Sequence, residues 1–83
     1  MEGSKLEWSK HRWESDTRYY EVLLHQDLWH NWIVTRIWGG SNTRLGHFKS
    51  DPCASYQDGL KRLRGIHRRR LQRGYAPVLG KLD

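Results

Sequence analysis

Five histidines, one cysteine and nine carboxylates are the side chains of this 83-residue chain that could ligate a metal or drive hydrolysis. His11, His25, His30, His47 and His67 include no pair at the i, i+4 spacing of a helical zinc site. His25 and His30 flank one turn, but two histidines without a third ligand make a weak site. Cys53 is expected in the first turn of a helix, where the dipole lowers a thiol pKa. It also falls on that helix's apolar stripe, and a buried thiol is inert. A lone cysteine allows no intramolecular disulfide and fits a reducing, cytoplasmic setting. The carboxylates are scattered, and Gly39-Gly40 is too short to cradle a phosphate as a P-loop does. The expectation is a chain that is not an enzyme, with no catalytic group, no metal, no cofactor and no small-molecule substrate.

Cations and tryptophans point elsewhere. From Met1 to Asp51 seven Lys/Arg balance seven Asp/Glu; from Pro52 to Asp83 eight Lys/Arg face two. The whole surplus of +6 therefore lies in the last third. Clustered positive charge attracts polyanions, nucleic acid first and anionic membrane second. Arginine and lysine neutralise phosphates, and a tryptophan stacks on a base or packs on a sugar. The chain holds five Trp and four Tyr but one Phe, a large apolar area with polar tips.

These residues need elements to position them. Eighty-three residues make one domain, which buries roughly 60% of the surface its unfolded chain exposes. A core of one sheet against one helix is expected, with little room for a deep cleft. Residues 1–17 read as a polar arm with one short edge strand near Leu6 to Ser9, residues 18–79 as the domain, and 80–83 as a tail. The stretch Met1 to Lys5 is not a secretory leader, and no apolar run approaches the roughly 20 residues of a membrane helix.

Arg18 to Gln26 reads as a strand with Tyr20, Val22 and Leu24 on one face. Trp32 to Trp38 reads as a second strand. Its Ile33, Thr35 and Ile37 are expected to form the core wall, leaving Trp32, Val34, Arg36 and Trp38 facing a partner; the opposite orientation stays open. Gly39 to Asn42 is a turn, and Leu45 to Lys49 a short third strand. Asp51-Pro52 carries the N-cap and first-position signature of a helix reaching about Arg73. Cys53, Tyr56, Leu60, Leu63, His67 and Leu71 form its apolar stripe, with Lys61, Arg62, Arg64, Arg68, Arg69 and Arg73 outside. His67 is expected as a satisfied boundary histidine. Gly74 ends the helix, and Pro77 confines the last strand, Tyr75 to Leu79, to a sheet edge. The apolar stripe is needed for the core, so membrane binding is not expected. The fold class is α+β: an antiparallel sheet of about four strands with one long basic helix on one face.

The segment Trp32 to Gly40, with Trp38-Gly39 near its end, resembles the signature strand of the WGR domain. So do its neighbours: the Arg18 to Leu24 strand, Asp27-Leu28-Trp29, the Gly46 to Phe48 strand, a helix opening from Ser50, and Arg73-Gly74-Tyr75. Nearly the whole chain is covered, and it looks most like the short free-standing bacterial members. The resemblance implies an antiparallel sheet with one packed helix. In the poly(ADP-ribose) polymerases the WGR domain binds DNA ends, with the motif Trp against the terminal nucleotide and basic residues on the backbone. What this implies here is a nucleic-acid-binding set of Trp38, Gly39, Arg36, Arg44, Arg64, Arg70 and Arg73, with DNA ahead of RNA. The third motif position, usually Arg, is Gly40. The alternative is an adaptor that docks a protein partner through an exposed Trp/Arg face.

Overall fold

The computed structural model describes residues 8–42 and 46–80. Among them, one open sheet of five antiparallel strands carries a single helix on one face. The strands are β1 (Ser9–Glu14), β2 (Arg18–Gln26), β3 (Trp32–Gly40), β4 (Gly46–Cys53) and β5 (Ala76–Leu79), and the helix is α1 (Tyr56–Gln72). Their order in the sheet is β4-β3-β2-β1-β5. The α+β class read from the sequence holds, with five strands where about four were expected.

The additional strand lies in the segment read as an arm. In β1, His11 and Trp13 point to the helix side and alternate with Lys10, Arg12 and Glu14. It sits inside the sheet, between β2 and β5, and Trp13 is only 1% exposed. Of the edge strand expected near Leu6 to Ser9, Leu6 and Glu7 lie outside the described residues, and strand structure starts at Ser9. Pro77 does lie on an edge strand, β5, where a missing N–H is tolerated.

The helix covers the face that the sequence reading had turned outward. Tyr20, Val22 and Leu24 pair with Trp38, Arg36 and Val34, and paired residues share a face. Val34 is buried with Trp13, Tyr20, Val22, Leu24 and Leu63, and Trp32 and Trp38 pack against this cluster. Ile33, Thr35 and Ile37 occupy the opposite, uncovered face. The longer-armed Trp/Arg row is thus the core wall, and the isoleucines are half-buried among Leu23, Phe48 and the Arg12–Glu21 ion pair. One inward row of β2 cannot pair with the other row of β3, because the side-chain period is two.

α1 begins four residues later than the Asp51-Pro52 signature suggests. Pairing between β3 and β4 continues to Trp32↔Cys53, which holds Asp51, Pro52 and Cys53 extended. Ser50, at the other start read from the resemblance, is likewise in β4, where its hydroxyl bonds Thr35. Asp51 takes an ion pair with Arg36 rather than a cap, and Pro52 is accommodated because β4 is an edge strand. The cap is Ser55, whose Oγ accepts from the Asp58 N–H at 3.1 Å, while Asp58 Oδ2 accepts from the Ala54 N–H at 3.1 Å. Cys53 therefore faces the helix from a strand, and Leu71, expected on the apolar stripe, is exposed.

Connectivity dictates how α1 lies. The chain leaves the sheet at the β4 edge and re-enters as β5 at the other edge, so α1 must cross all five strands. The sheet is about 19 Å wide at about 4.8 Å per strand, and seventeen helical residues span about 26 Å. The crossing is therefore oblique. Gly59 lies against Leu24 and Cys53 at the β4 side, and His67 reaches Trp13 of β1. An oblique helix on a rectangular sheet leaves corners of the helix side uncovered. One of them is the corner where β3 and β4 reach Trp38, Gly39 and His47.

Candidate functional site

A row of aromatic residues crosses the sheet toward that corner. Trp13, Tyr20, Trp38 and His47 are successive cross-strand partners on β1, β2, β3 and β4. Trp13 meets Tyr20 edge-on, with centroids 6.3 Å apart. Tyr20 and Trp38 stack at 5.9 Å and 18°, and Trp38 and His47 at 5.7 Å and 23°. The row runs from a fully buried ring to an exposed one on the edge strand. Such cross-strand aromatic pairs each add about 0.2–1 kcal/mol to the sheet, so the row is structural as well as accessible.

Arg70 of α1 stands above it. Its guanidinium carbon lies 4.3 Å from the Tyr20 ring centroid and 5.0 Å from that of Tyr75. The end of α1 sets this arrangement. Gly74 takes φ +87° and its N–H donates to the Leu71 carbonyl at 3.1 Å, while the Tyr75 N–H donates to the Arg70 carbonyl at 2.9 Å. This pair of bonds closes the helix and folds Tyr75 back onto Arg70. Gly74 ends the helix as the sequence predicts. Among the described residues Arg70 makes no ion pair, and its Nε is buried without a hydrogen-bond partner there.

Around these groups is an open cleft of about 590 Å³. Tyr20, Trp38, Gly39 and Gly40 form its floor, His47, Tyr75 and Arg70 its sides, and Arg18 its rim. Among the described residues no carboxylate lines it, and Arg18 and Arg70 bring two positive charges to it. The sequence reading allowed little room for a cleft; the corner left by the oblique helix supplies it. A second, narrower cleft of about 310 Å³ lies further back between α1, β3 and β4. Arg36, Arg62 and Arg69 line it with Asp51, giving +2 again. Arg36, from the second cleft, also approaches the ring of Trp38, which lines the first, at 6.0 Å.

The residues singled out by sequence divide accordingly. Trp38, Gly39 and Arg70 come together in the wide cleft, and Arg36 lies in the narrow one beside Asp51 at 3.3 Å. Arg64 and Arg73 are exposed and line neither. Arg44 lies outside the described residues. Arg18, Tyr20, His47 and Tyr75 were missed. By sequence Tyr20 reads as core, and His47 as a strand residue and one of five histidines weighed as metal ligands. The period-two faces of β2, β3 and β4 carried the signal, once their register was known.

The chain compared with protein-family models, curated proteins and solved structures returns no match. The candidate site therefore stands on its geometry. Among the described residues no three His, Cys, Asp or Glu side chains gather as a metal site, and no helix is long and apolar enough to cross a membrane. Burial pushes the Cys53 thiol pKa up; Arg62 opposes this and Asp58 adds to it. The strand position thus removes the helix-dipole activation considered for this thiol. His67 accepts a hydrogen bond from the Trp13 indole at 3.0 Å, the satisfied boundary histidine the sequence predicts. What the cleft offers is two arginines, without acidic partners among the described residues, beside flat aromatic faces. That chemistry suits a phosphate joined to a planar ring.

Proposed function

We propose that this chain is a non-catalytic nucleic-acid-binding module, with DNA ahead of RNA, that uses the wide cleft as its contact. One observation carries the reading: Arg70 and Arg18, with no carboxylate beside them among the described residues, border the stacked Trp38 and His47 rings. The concentration of basic residues on α1 supports it, since exposed Lys61, Arg64 and Arg68 add a long-range attraction for polyanions. The resemblance of the Trp32 to Gly40 strand to the WGR domain supports it as well. Gly40 in place of the usual motif Arg leaves the cationic role to Arg70 and Arg18.

Titration of labelled duplexes with blunt, recessed and nicked ends, at two salt concentrations, tests the reading. Binding at low salt that weakens steeply with salt is expected. Chemical shifts of His47, Gly39 and Arg70 should move together on adding a short oligonucleotide. Absence of binding at low salt overturns the proposal.

A protein-docking role has one observation in its favour, away from the Trp/Arg row. The β2–β3 turn exposes Leu28 (88%) and Trp29 (76%) on a rigid frame. Asp27 Oδ1 accepts from the N–H groups of Trp29 and Asn31, both at 2.9 Å. These bonds hold the Asp27 carboxyl pKa below its usual value, the Asn31 N–H contributing most. A partner captured through this turn should survive nuclease and high salt, and Trp29→Ala should release it.

A further inference from the structure

The two clefts are neighbouring stretches of one groove, and its shape selects among nucleic acids. The argument rests on the nucleic-acid reading above. Arg36 and Trp38 are two apart on the same face of β3, so the narrow cleft and the wide one adjoin along that strand, with Arg69 and Arg70 on the last turns of α1 above them. The floor is the β3–β4 ledge beside the helix. A helix with its side chains is about 10–12 Å across, and the sheet beneath is about 19 Å wide. The ledge is therefore only one or two strands broad, and it widens toward His47 as α1 diverges from β4. The two grooves of a duplex are about 8.5 and 7.5 Å deep, so the duplex is at least about 16 Å thick and cannot lie on a ledge one or two strands broad. A single strand can, and proteins that bind single strands combine a basic track with rings on which bases stack. Both are present: His47 is the exposed end of the aromatic row, and Arg62, Arg69 and Arg70 follow the helix wall.

We propose that the groove takes unpaired nucleotides, such as a single-stranded overhang. A base stacks at the His47 and Trp38 end, and the backbone runs toward Arg69 and Arg62. From Arg62 to Arg70 the helix rises about 12 Å, the length of three to four nucleotides of a strand whose bases keep the stacked rise of about 3.4 Å each. Within the narrow cleft the charge of Asp51 is matched by Arg36 at 3.3 Å, and Arg62 pairs with Asp58 at 3.3 Å, so Arg69 is the lining cation with no acidic partner among the described residues. The backbone phosphate nearest the wide cleft therefore meets Arg69 first.

The test uses the full chain and labelled DNA hairpins carrying 0, 1, 2, 4 or 6 unpaired nucleotides, with a parallel RNA series. Affinity should rise at least ten-fold from the blunt hairpin to four nucleotides and then level off. The Arg62→Ala/Arg69→Ala double variant should remove that gain, while blunt-hairpin binding weakens far less, through the lost long-range charge alone. With two single-strand phosphate contacts gone, its log–log salt slope on the four-nucleotide probe should fall by about 1.4. Both residues are exposed, and an unaltered urea midpoint verifies the fold. A larger gain in one series assigns the groove to DNA or to RNA, and either supports the proposal. Measurable binding that ignores overhang length overturns this inference and leaves the wider reading standing. No binding to any probe overturns both.

Discussion

Arg70 is held by ring faces instead of by an acid. A guanidinium stacked on Tyr20 and Tyr75 keeps its charge available to a ligand, whereas one paired with a carboxylate must exchange partners. Substituting lysine keeps the charge but loses the planar stack, so Arg70→Lys should bind nucleic acid more weakly than the parent. His47 is the cleaner probe of stacking, being exposed and outside the core. Base–aromatic stacking contributes about 1–3 kcal/mol per base, so His47→Ala should weaken binding about 5- to 150-fold while lowering stability only by the about 0.2–1 kcal/mol of one cross-strand pair. Anisotropy titration measures the first and chemical denaturation the second.

His11 is the other residue with a distinct expectation. Burial, and secondarily the charge of His67, hold its pKa below the ordinary histidine value of 6.5. The folded protein therefore binds this proton less readily than the unfolded chain. The sign follows: the full contribution of a neutral His11 is present above pH 6.5 and is lost as pH falls below it, through the folded value. Urea midpoints should decline from pH 7 to pH 5. An uncharged substitute, His11→Asn, should flatten that decline at some cost in baseline stability.

At the scale of elements, two glycines of α1 predict opposite outcomes although helix propensity treats them alike. A Cβ on Gly59 would stand 2.4 Å from Leu24 Cδ1, in the fully buried core. Overpacking of that kind costs about 1–3 kcal/mol, which outweighs the propensity gain of about 1 kcal/mol. Gly59→Ala should therefore destabilise the protein. A Cβ on Gly65 meets nothing within 4 Å, so Gly65→Ala should stabilise by about 0.5–1 kcal/mol. Thermal and urea unfolding of the pair would separate close packing from propensity. At the start of the same helix, Ser55→Ala should cost about 1 kcal/mol, because it removes the bond that caps the Asp58 N–H.

For the whole molecule the decisive feature is that a single helix must link opposite edges of a five-stranded sheet. The oblique crossing both closes the core and opens the groove. The lining charges, Arg18 and Arg70 in one cleft and Arg36, Arg62 and Arg69 against Asp51 in the other, sum to +4. If each net charge neutralises one phosphate of a single strand, the salt slope is about −2.8. Raising salt from 50 to 200 mM should then weaken binding about fifty-fold. A slope near zero in the same titration would instead favour docking through Leu28 and Trp29.

Much of this architecture is readable in the chain. The boundaries of β2, the inward row Tyr20-Val22-Leu24, the helix end at Gly74 and the edge position of Pro77 follow from local rules of period, turn and ring geometry. So does the placing of the charge surplus on the helix region. Other features are settled by pairing between distant segments, which no local rule contains. Ser9–Glu14 became an inner strand because β2 and β5 both flank it. Asp51-Pro52 lost its helix-starting role because β3 extends the pairing to Cys53. The Trp38 row turned toward α1 because its register follows Tyr20, Val22 and Leu24. The sequence alone determined which residues are basic and aromatic, and the helix and most of the strands that carry them. Only the tertiary structure decided that Arg70 and Arg18 meet Trp38 and His47 in one cleft, since that meeting depends on cross-strand register and on the angle at which α1 crosses the sheet.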